Sequence, residues 1–152
     1  TSRTRGRNRS RNYGGIMAFA TRTLIDTGKT TGGAGKVVIL LDLSDHDGNG
    51  TALDADGLNG FANGCKLNIR RIRWGLVSGA DDGIGGSALI EFKGASADTS
   101  AIRLAGSGYY DTPAINNNAT NTTATSADIE CVGVHATGFI MIEFSKDSGW
   151  TG

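Results

Sequence analysis

The stretch Cys65–Val77, CKLNIRRIRWGLV, decides the fold prediction because it is the longest run with clear strand character. Side chains of a strand alternate between two faces, and here the alternation of apolar residues breaks at Arg70–Arg71. One extra residue at this point, a β-bulge, restores a single apolar face. The residues that then point inward are Leu67, Ile69, Ile72, Trp74 and Leu76. The residues that point outward are Lys66, Asn68, Arg73 and at least one of the paired arginines.

The basic outward face of this strand has two interpretations. It is either a contact for an anion or a partner, or a solvated face whose charges pair with carboxylates on the next strand. Lys and Arg are usually exposed, which favours the second.

The composition predicts one all-β domain. The chain has 152 residues, 24 glycines and a single proline, and its apolar residues recur in strand-length clusters separated by turn residues. We expect seven or eight strands, no helix, and an antiparallel β-sandwich of jelly-roll type formed by residues 17–152. The strands are predicted at 18–25, 36–43, 65–77, 87–93, 100–105, 128–134 and 138–146. The continuous apolar run of 36–43 predicts a central strand that is buried on both faces.

Residues 1–16 form a separate basic arm that should be flexible in the isolated chain. They contain no acidic residue, whereas the rest of the chain has five more acidic than basic residues. Such an arm can neutralise nucleic-acid phosphates or lie on acidic neighbours in an assembly. A third possibility is an upstream extension, because Met17 is a plausible natural start. The basic residues of the arm are Arg3, Arg5, Arg7, Arg9 and Arg11.

Two motifs resemble ligand-binding loops, but each matches its pattern only in part. Gly28-Lys29-Thr30 resembles a phosphate-binding loop, but Thr23 stands where the first glycine is required, so we reject nucleotide binding. Asp45–Asp56, DHDGNGTALDAD, matches several ligand positions of an EF-hand loop. The preceding residues form a strand rather than a helix, and Asp, Asn and Gly are also common in ordinary turns. We therefore predict a plain loop here and assign no metal site, with calcium as the alternative.

No residue pattern indicates catalysis, so we predict no enzymatic activity and no cofactor. His46 and His135 lack a second ligand at zinc spacing. Cys65 and Cys131 read as buried thiols in a reducing cell. Glu91 and Glu143 could be compared with a glycosidase pair, but each is a single outward acid on an apolar strand.

Three further segments are predicted to lie outside the core strands. Ser78–Gly86 reads as a hairpin-type loop, and 115–127 as an exposed polar loop that could contact a partner. The Trp150 tail either packs back on the domain or docks on a neighbour. No segment approaches the length of a transmembrane span, and no membrane partner is predicted.

From Met17 onward the sequence resembles small virion proteins of tailed phages, particularly marine and cyanobacterial ones. The resemblance rests on MAFATRTLIDTGKTTGGAGKVVILLDLS (17–44), CKLNIRRIRWGLVSG (65–79), LIEFKG (89–94), IRLAGSGYYD (102–111), PAINNNAT (113–120) and GFIMIEFSKDSG (138–149). It implies a β-sandwich protein of the capsid surface, assembled in the host cytoplasm. It further implies a decoration or cement role that bridges capsid subunits, often as a homotrimer. The arm departs from this pattern, which begins near Met17.

Two other functions remain open at this point. One is a small jelly-roll capsid protein whose arm contacts nucleic acid. The other is a carbohydrate- or host-binding virion module that uses Tyr109, Tyr110 or Trp150 as stacking platforms.

Overall fold

The computed structural model describes residues 18–28, 35–119, 127–146 and 149–151, and these residues form an all-β, antiparallel structure, as predicted. In this part of the chain the only helical element is a 3-10 turn at Ala55–Gly57. The strands are β1 (Ala18–Thr27), β2 (Gly35–Leu53), β3 (Leu67–Ser78), β4 (Ser87–Phe92), β5 (Thr99–Ala105), β6 (Ser107–Tyr110) and β7 (Ile129–Lys146).

Two long strands, β2 and β7, form the centre of the structure and pair with each other along their whole length. On the other edge of β7, β3 pairs with its C-terminal part and β4 with its N-terminal part. Next to them, β6 pairs with β3 and β5 pairs with β4, and only Gly106 separates β5 from β6. All seven strands therefore belong to one hydrogen-bonded network, and their order does not establish the predicted jelly roll.

A bend crosses this network and divides it into two halves. The first half contains β1, 35–43 of β2, 138–146 of β7, β3 and β6, and the second contains the rest of β2 and β7 with β4 and β5. Along the bend the register of β2 shifts on both sides of His46. The residues with a positive φ there are Asp45, Gly48, Gly85, Gly86, Gly106, His135 and Gly138. Such bulges and left-handed residues turn the strands and bring both halves around one core.

The bend also changes which residues face inward. Before it, the odd-numbered residues of β2 from Val37 to Leu43 are buried, and after it His46 and Ala52 are. In β7 the inward set passes from Ile129 and Cys131 to the even-numbered residues from Ile140 onward. Because side chains alternate strictly in a strand, each extra residue at the bend reverses the faces of all that follow. The inward residues of both halves form a single hydrophobic core.

The central stretch folds as its pattern predicts. The pairing of β3 with β7 shifts between Ile69 and Arg71, which places the bulge at Arg70–Arg71. The five predicted inward residues all join the core, with Trp74 half-buried. Its indole N–H donates to the Ala105 carbonyl at 3.0 Å, so β3 is also tied to the end of β5.

Three local predictions were wrong. Most of the loop predicted at Asp45–Asp56 is strand, because β2 runs on to Leu53 and pairs with β7. The strands predicted at 128–134 and 138–146 are one strand, β7. The loop after Ser78 does not join a hairpin, since β3 and β4 follow one another along the same edge of β7. In each case long-range pairing overrides local turn residues.

A buried lysine at the end of β7 joins β1, Asn59 and Trp150. The fully buried Lys146 ammonium forms an ion pair with Asp26 and donates to the Asn59 carbonyl at 2.8 Å. It also lies 5.0 Å from the centre of the Trp150 ring. Trp150 is buried and donates to the Lys66 carbonyl at 2.6 Å, so the tail packs back on the domain, one of its two predicted arrangements.

Substitution Gly138→Ala tests the bend. Gly138 has a φ of 139°, and a Cβ there would overlap the Gly75 carbonyl oxygen of β3. We expect a loss of about 3 kcal/mol or more in the free energy of unfolding, measured by urea denaturation. Gly57→Ala is the matched control, because open space surrounds it, and it should change stability by less than about 0.5 kcal/mol. Equal effects of the two changes would contradict the proposed role of the bend.

Substitution Asp26→Ala tests the lysine contact. It leaves the buried Lys146 ammonium without a carboxylate, which should cost about 3 kcal/mol of unfolding free energy. The double variant Asp26→Leu, Lys146→Met removes both charges and should recover most of that loss. A double variant that is less stable than Asp26→Ala would show that the ion pair itself, rather than avoidance of an unpaired charge, stabilises the fold.

Candidate interaction surface

One face of the first half of the sheet is apolar and open. Opposite residues of neighbouring strands share a face, and one such row crosses all five strands: Arg22, Leu40, Met141, Arg73 and Tyr109. We call this side the outer face. Its apolar members are Ile25, Val38, Leu40, Tyr109, Phe139 and Met141. Ile25, Phe139 and Tyr109 are 41%, 40% and 50% exposed.

This face corrects part of the sequence prediction. The apolar run of residues 36–43 is typical of a strand that is buried on both sides. In the structure the odd-numbered residues are buried, whereas Val38 and Leu40 on the outer face are only half-buried. The described residues therefore cover one side of this strand and leave the other partly in solvent.

Charged residues lie around and between the apolar residues of the outer face. The Arg71 guanidinium donates to both carboxylate oxygens of Glu143, at 3.0 and 3.1 Å, as expected for paired charges on neighbouring strands. Arg73 lies 4.9 Å from the centre of the Tyr109 ring. The charged members of the face are Arg22, Lys36, Asp42, Arg71, Arg73 and Glu143.

A small depression lies between these pairs. Its volume is about 140 Å³, and its lining is mainly apolar. Val38 and Met141 contribute apolar side chains, and the lining also includes Arg71, Ile72, Arg73, Tyr109 and Glu143. The depression can accept a single apolar side chain of a partner, with a guanidinium at its edge for a carboxylate.

The outward side of the second half is different. One row there contains Asn49, Val132, Leu89 and Arg103, and the next contains Thr51, Glu130 and Glu91. Glu91 and Glu130 lie directly opposite each other. Burial, with added repulsion from Asp98 and Glu130, raises the pKa of the Glu91 carboxyl. The outward apolar residues of this half, Leu89, Val132 and Val134, are fewer than those of the outer face.

A groove with acidic residues runs beside β1. It has a volume of about 540 Å³ and is lined by Thr21, Thr23, Thr51, Ala52, Leu53, Asp54, Gly57, Leu58 and Asp128. Asp128 is buried, and its carboxylate accepts the Ala55 N–H at 2.8 Å. Burial raises the pKa of Asp128 to about 6, the Ala55 hydrogen bond opposes this rise, and Asp54, Asp56 and Glu130 add to it.

The segment Asp45–Asp56, which resembles an EF-hand loop in sequence, is not arranged as a loop around an ion. Asp45 and Asp47 lie in β2, and both approach His135 across the bend, at 2.9 Å and 3.7 Å. The hydrogen bond between the His135 ring and the Asp45 carboxylate raises the pKa of the imidazole, burial opposes this rise, and attraction to the Asp47 carboxylate adds to it. Among the described residues, no group of three His, Cys, Asp or Glu side chains has the geometry for a metal ion.

His46 and the two cysteines are core residues. His46 is fully buried, stacks edge-on against Phe19 and bonds the Cys131 carbonyl at 2.9 Å. Cys65 and Cys131 are buried thiols outside any disulfide, as predicted, and burial raises the pKa of Cys131 to about 12. A thiol with a raised pKa is a poor nucleophile, and no described contact pairs either cysteine with His135.

The remaining candidate residues do not meet at one place. Glu143 is engaged by Arg71 in the first half, whereas Glu91 lies in the second half. Tyr110 donates its hydroxyl to the Pro113 carbonyl, and the buried Trp150 offers no free stacking face. The arm (1–16) and residues 29 and 30 of the phosphate-loop-like motif lie outside the described residues.

The predicted polar loop 115–127 is described only at its ends, and these ends are not free. Ile115 forms a β-bridge with Ile69, and the Asn117 backbone N–H donates to the Asn68 side chain. Asn117, Ala119 and Ala127 are buried. The prediction of an exposed loop is therefore wrong for 115, 117, 119 and 127, since these residues pack against the domain.

Comparison with known proteins gave no significant match to a family model, to a curated protein or to a solved structure. The described part of the chain contains no helix with the length and apolar character that a membrane span requires.

Substitution Asp128→Asn tests the raised pKa. Because the folded-state pKa exceeds the unfolded value, the folded protein binds more protons between about pH 4 and 6. The contribution of Asp128 to the free energy of unfolding is thus fully present below about pH 4 and is lost as the pH rises through 6. Asn keeps an acceptor for the Ala55 N–H but carries no charge. The free energy of unfolding of the variant, taken relative to the wild type, should therefore be about 2 kcal/mol higher at pH 7.5 than at pH 4.5.

Urea denaturation at both pH values measures this difference. The exposed Asp81→Asn is the control and should change stability by less than about 0.5 kcal/mol at either pH. A wild type and an Asp128→Asn variant with parallel pH profiles would disprove the raised pKa.

Proposed function

We propose that this chain is a non-enzymatic structural protein of a viral particle, of the decoration or cement type, that self-associates and binds neighbouring capsid subunits. The proposal joins the resemblance of 17–149 to phage virion proteins with a surface suited to protein contacts. The observation that carries it is the outer face, where half-buried Val38, Leu40 and Met141 adjoin exposed Ile25, Phe139 and Tyr109. A contiguous apolar patch of this kind is typical of an interaction surface.

The charged groups support a structural role as well. The buried ones are held in contacts that stabilise the domain: Lys146 with Asp26, and Asp128 with the Ala55 N–H. The exposed His135 cluster joins the two long strands across the bend. These contacts give Lys146, Asp128 and His135 a role in the domain that requires no substrate.

Nucleic-acid binding through the arm is the second candidate. The five arginines of residues 1–16, without any acid, favour a phosphate contact. The carbohydrate alternative is weaker than the sequence indicated, because the buried Trp150 leaves Tyr109 as the exposed aromatic residue among the three proposed platforms.

Light scattering on the full chain and on a variant lacking residues 1–16, at low and high salt, tests the proposal. We expect each protein to exceed its own monomer mass, which is 15.7 kDa for the full chain, at both salt concentrations. The thermal unfolding midpoint should also rise with protein concentration, because association stabilises the folded state. A monomer that gains mass only with added DNA, only at low salt and only with the arm, would instead support nucleic-acid binding.

A further inference from the structure

We infer that the outer face is the surface through which two copies of this chain associate, packed sheet against sheet about a two-fold axis. The inference rests on the self-association in the proposed function and adds the surface, the partner and the symmetry. A second copy is a suitable occupant because the face meets three requirements of a two-fold contact: an apolar centre, sufficient area and charges of both signs.

The centre of the face is apolar. Leu40 and Met141 lie opposite each other on β2 and β7, with Val38 and Phe139 on either side. Gly75 lies opposite Phe139, whose ring rests over this glycine and fills the space that a side chain would occupy. Stacked sheets pack about 10 Å apart through interdigitated side chains of this size. The face therefore has the shape of one layer of a sandwich without its second layer.

The area is sufficient for a stable dimer. Five strands at a spacing of about 4.8 Å are about 24 Å wide, and nine residues of a strand extend about 30 Å. The face thus offers about 700 Å² per copy, or about 1,400 Å² for two copies, which lies in the range of specific protein–protein interfaces. On the outward side of the second half, Leu89 and Val132 form a smaller apolar pair beside Glu91 and Glu130.

The charges suit a contact of the face with itself. A two-fold interface brings the same patch of both copies together, so it must contain its own complement. Here Asp42 lies on the same face as Arg22 and Arg73, and Glu143 already neutralises Arg71. On this face the exposed Arg22, Lys36 and Arg73 outnumber Asp42, so a modest repulsion between like charges remains, which salt screens.

The two-fold arrangement makes a specific prediction about mass. A face that packs against itself is closed after two copies, so the protein should have twice the monomer mass of 15.7 kDa. The resemblance to decoration proteins implies a trimer instead. The particle role and the surface inferred here can therefore fail separately.

The substitution Val38→Lys tests the surface, and Val132→Lys is its matched control. Both valines are half-buried and point outward from the two central strands, but Val132 lies on the second half. A lysine in the apolar centre would be desolvated without a partner, so Val38→Lys should raise the dimer dissociation constant about a hundredfold. Val132→Lys should leave it unchanged. Sedimentation equilibrium measures the constants, and circular dichroism checks that each variant is folded.

Ile25→Lys is a second test at a more exposed position, where a charged side chain is compatible with folding. It should weaken the dimer at least tenfold. A wild-type dimer that neither Val38→Lys nor Ile25→Lys weakens overturns the inferred surface and leaves self-association intact. A wild-type trimer overturns the two-fold packing and agrees with the particle role. A wild-type monomer overturns both the surface and the self-association.

Discussion

The structure depends on the pairing of β2 with β7, because both strands belong to both halves of the sheet. A sheet that continues through a bend can form one closed core only if its central strands turn without losing their pairing. The bulges around His46 and the left-handed residues Asp45, His135 and Gly138 provide this turn. Non-glycine residues rarely adopt such a conformation, and here the contact between Asp45 and His135 holds both of them in it.

The shared strands also explain why the charged groups lie where they do. At the bend, acidic residues of β2 meet His135 of β7, and at the far end of β7 Lys146 reaches Asp26 of β1. Both contacts join residues that are distant in sequence, and both fasten the places where the strands change course or end. A motif that looks like an ion-binding loop in the sequence thus serves, in this fold, to connect two strands.

Much of the first half could be predicted from the sequence. The bulge at Arg70–Arg71 follows from the apolar alternation of β3, because only one register buries all five apolar residues. The predicted carboxylate partner of the basic face is Glu143. The second half was predicted less well, since its turn-forming residues in Asp45–Gly50 are held in strand by β7, which is about eighty residues away. Local preference cannot show a pairing over that distance.

The candidate surface, too, could be predicted only in part from the sequence. By itself, the sequence determined that residues 36–43 form a strand with apolar residues on both sides and that β3 has a basic outward face. Both properties follow from the alternation of side chains along a strand. Only the tertiary structure decided that one of these sides is open. Whether an apolar residue is buried depends on which strands lie against it, and the bend brings the second half over the inner face alone. The outer face of Val38, Leu40 and Met141 is exposed for that reason.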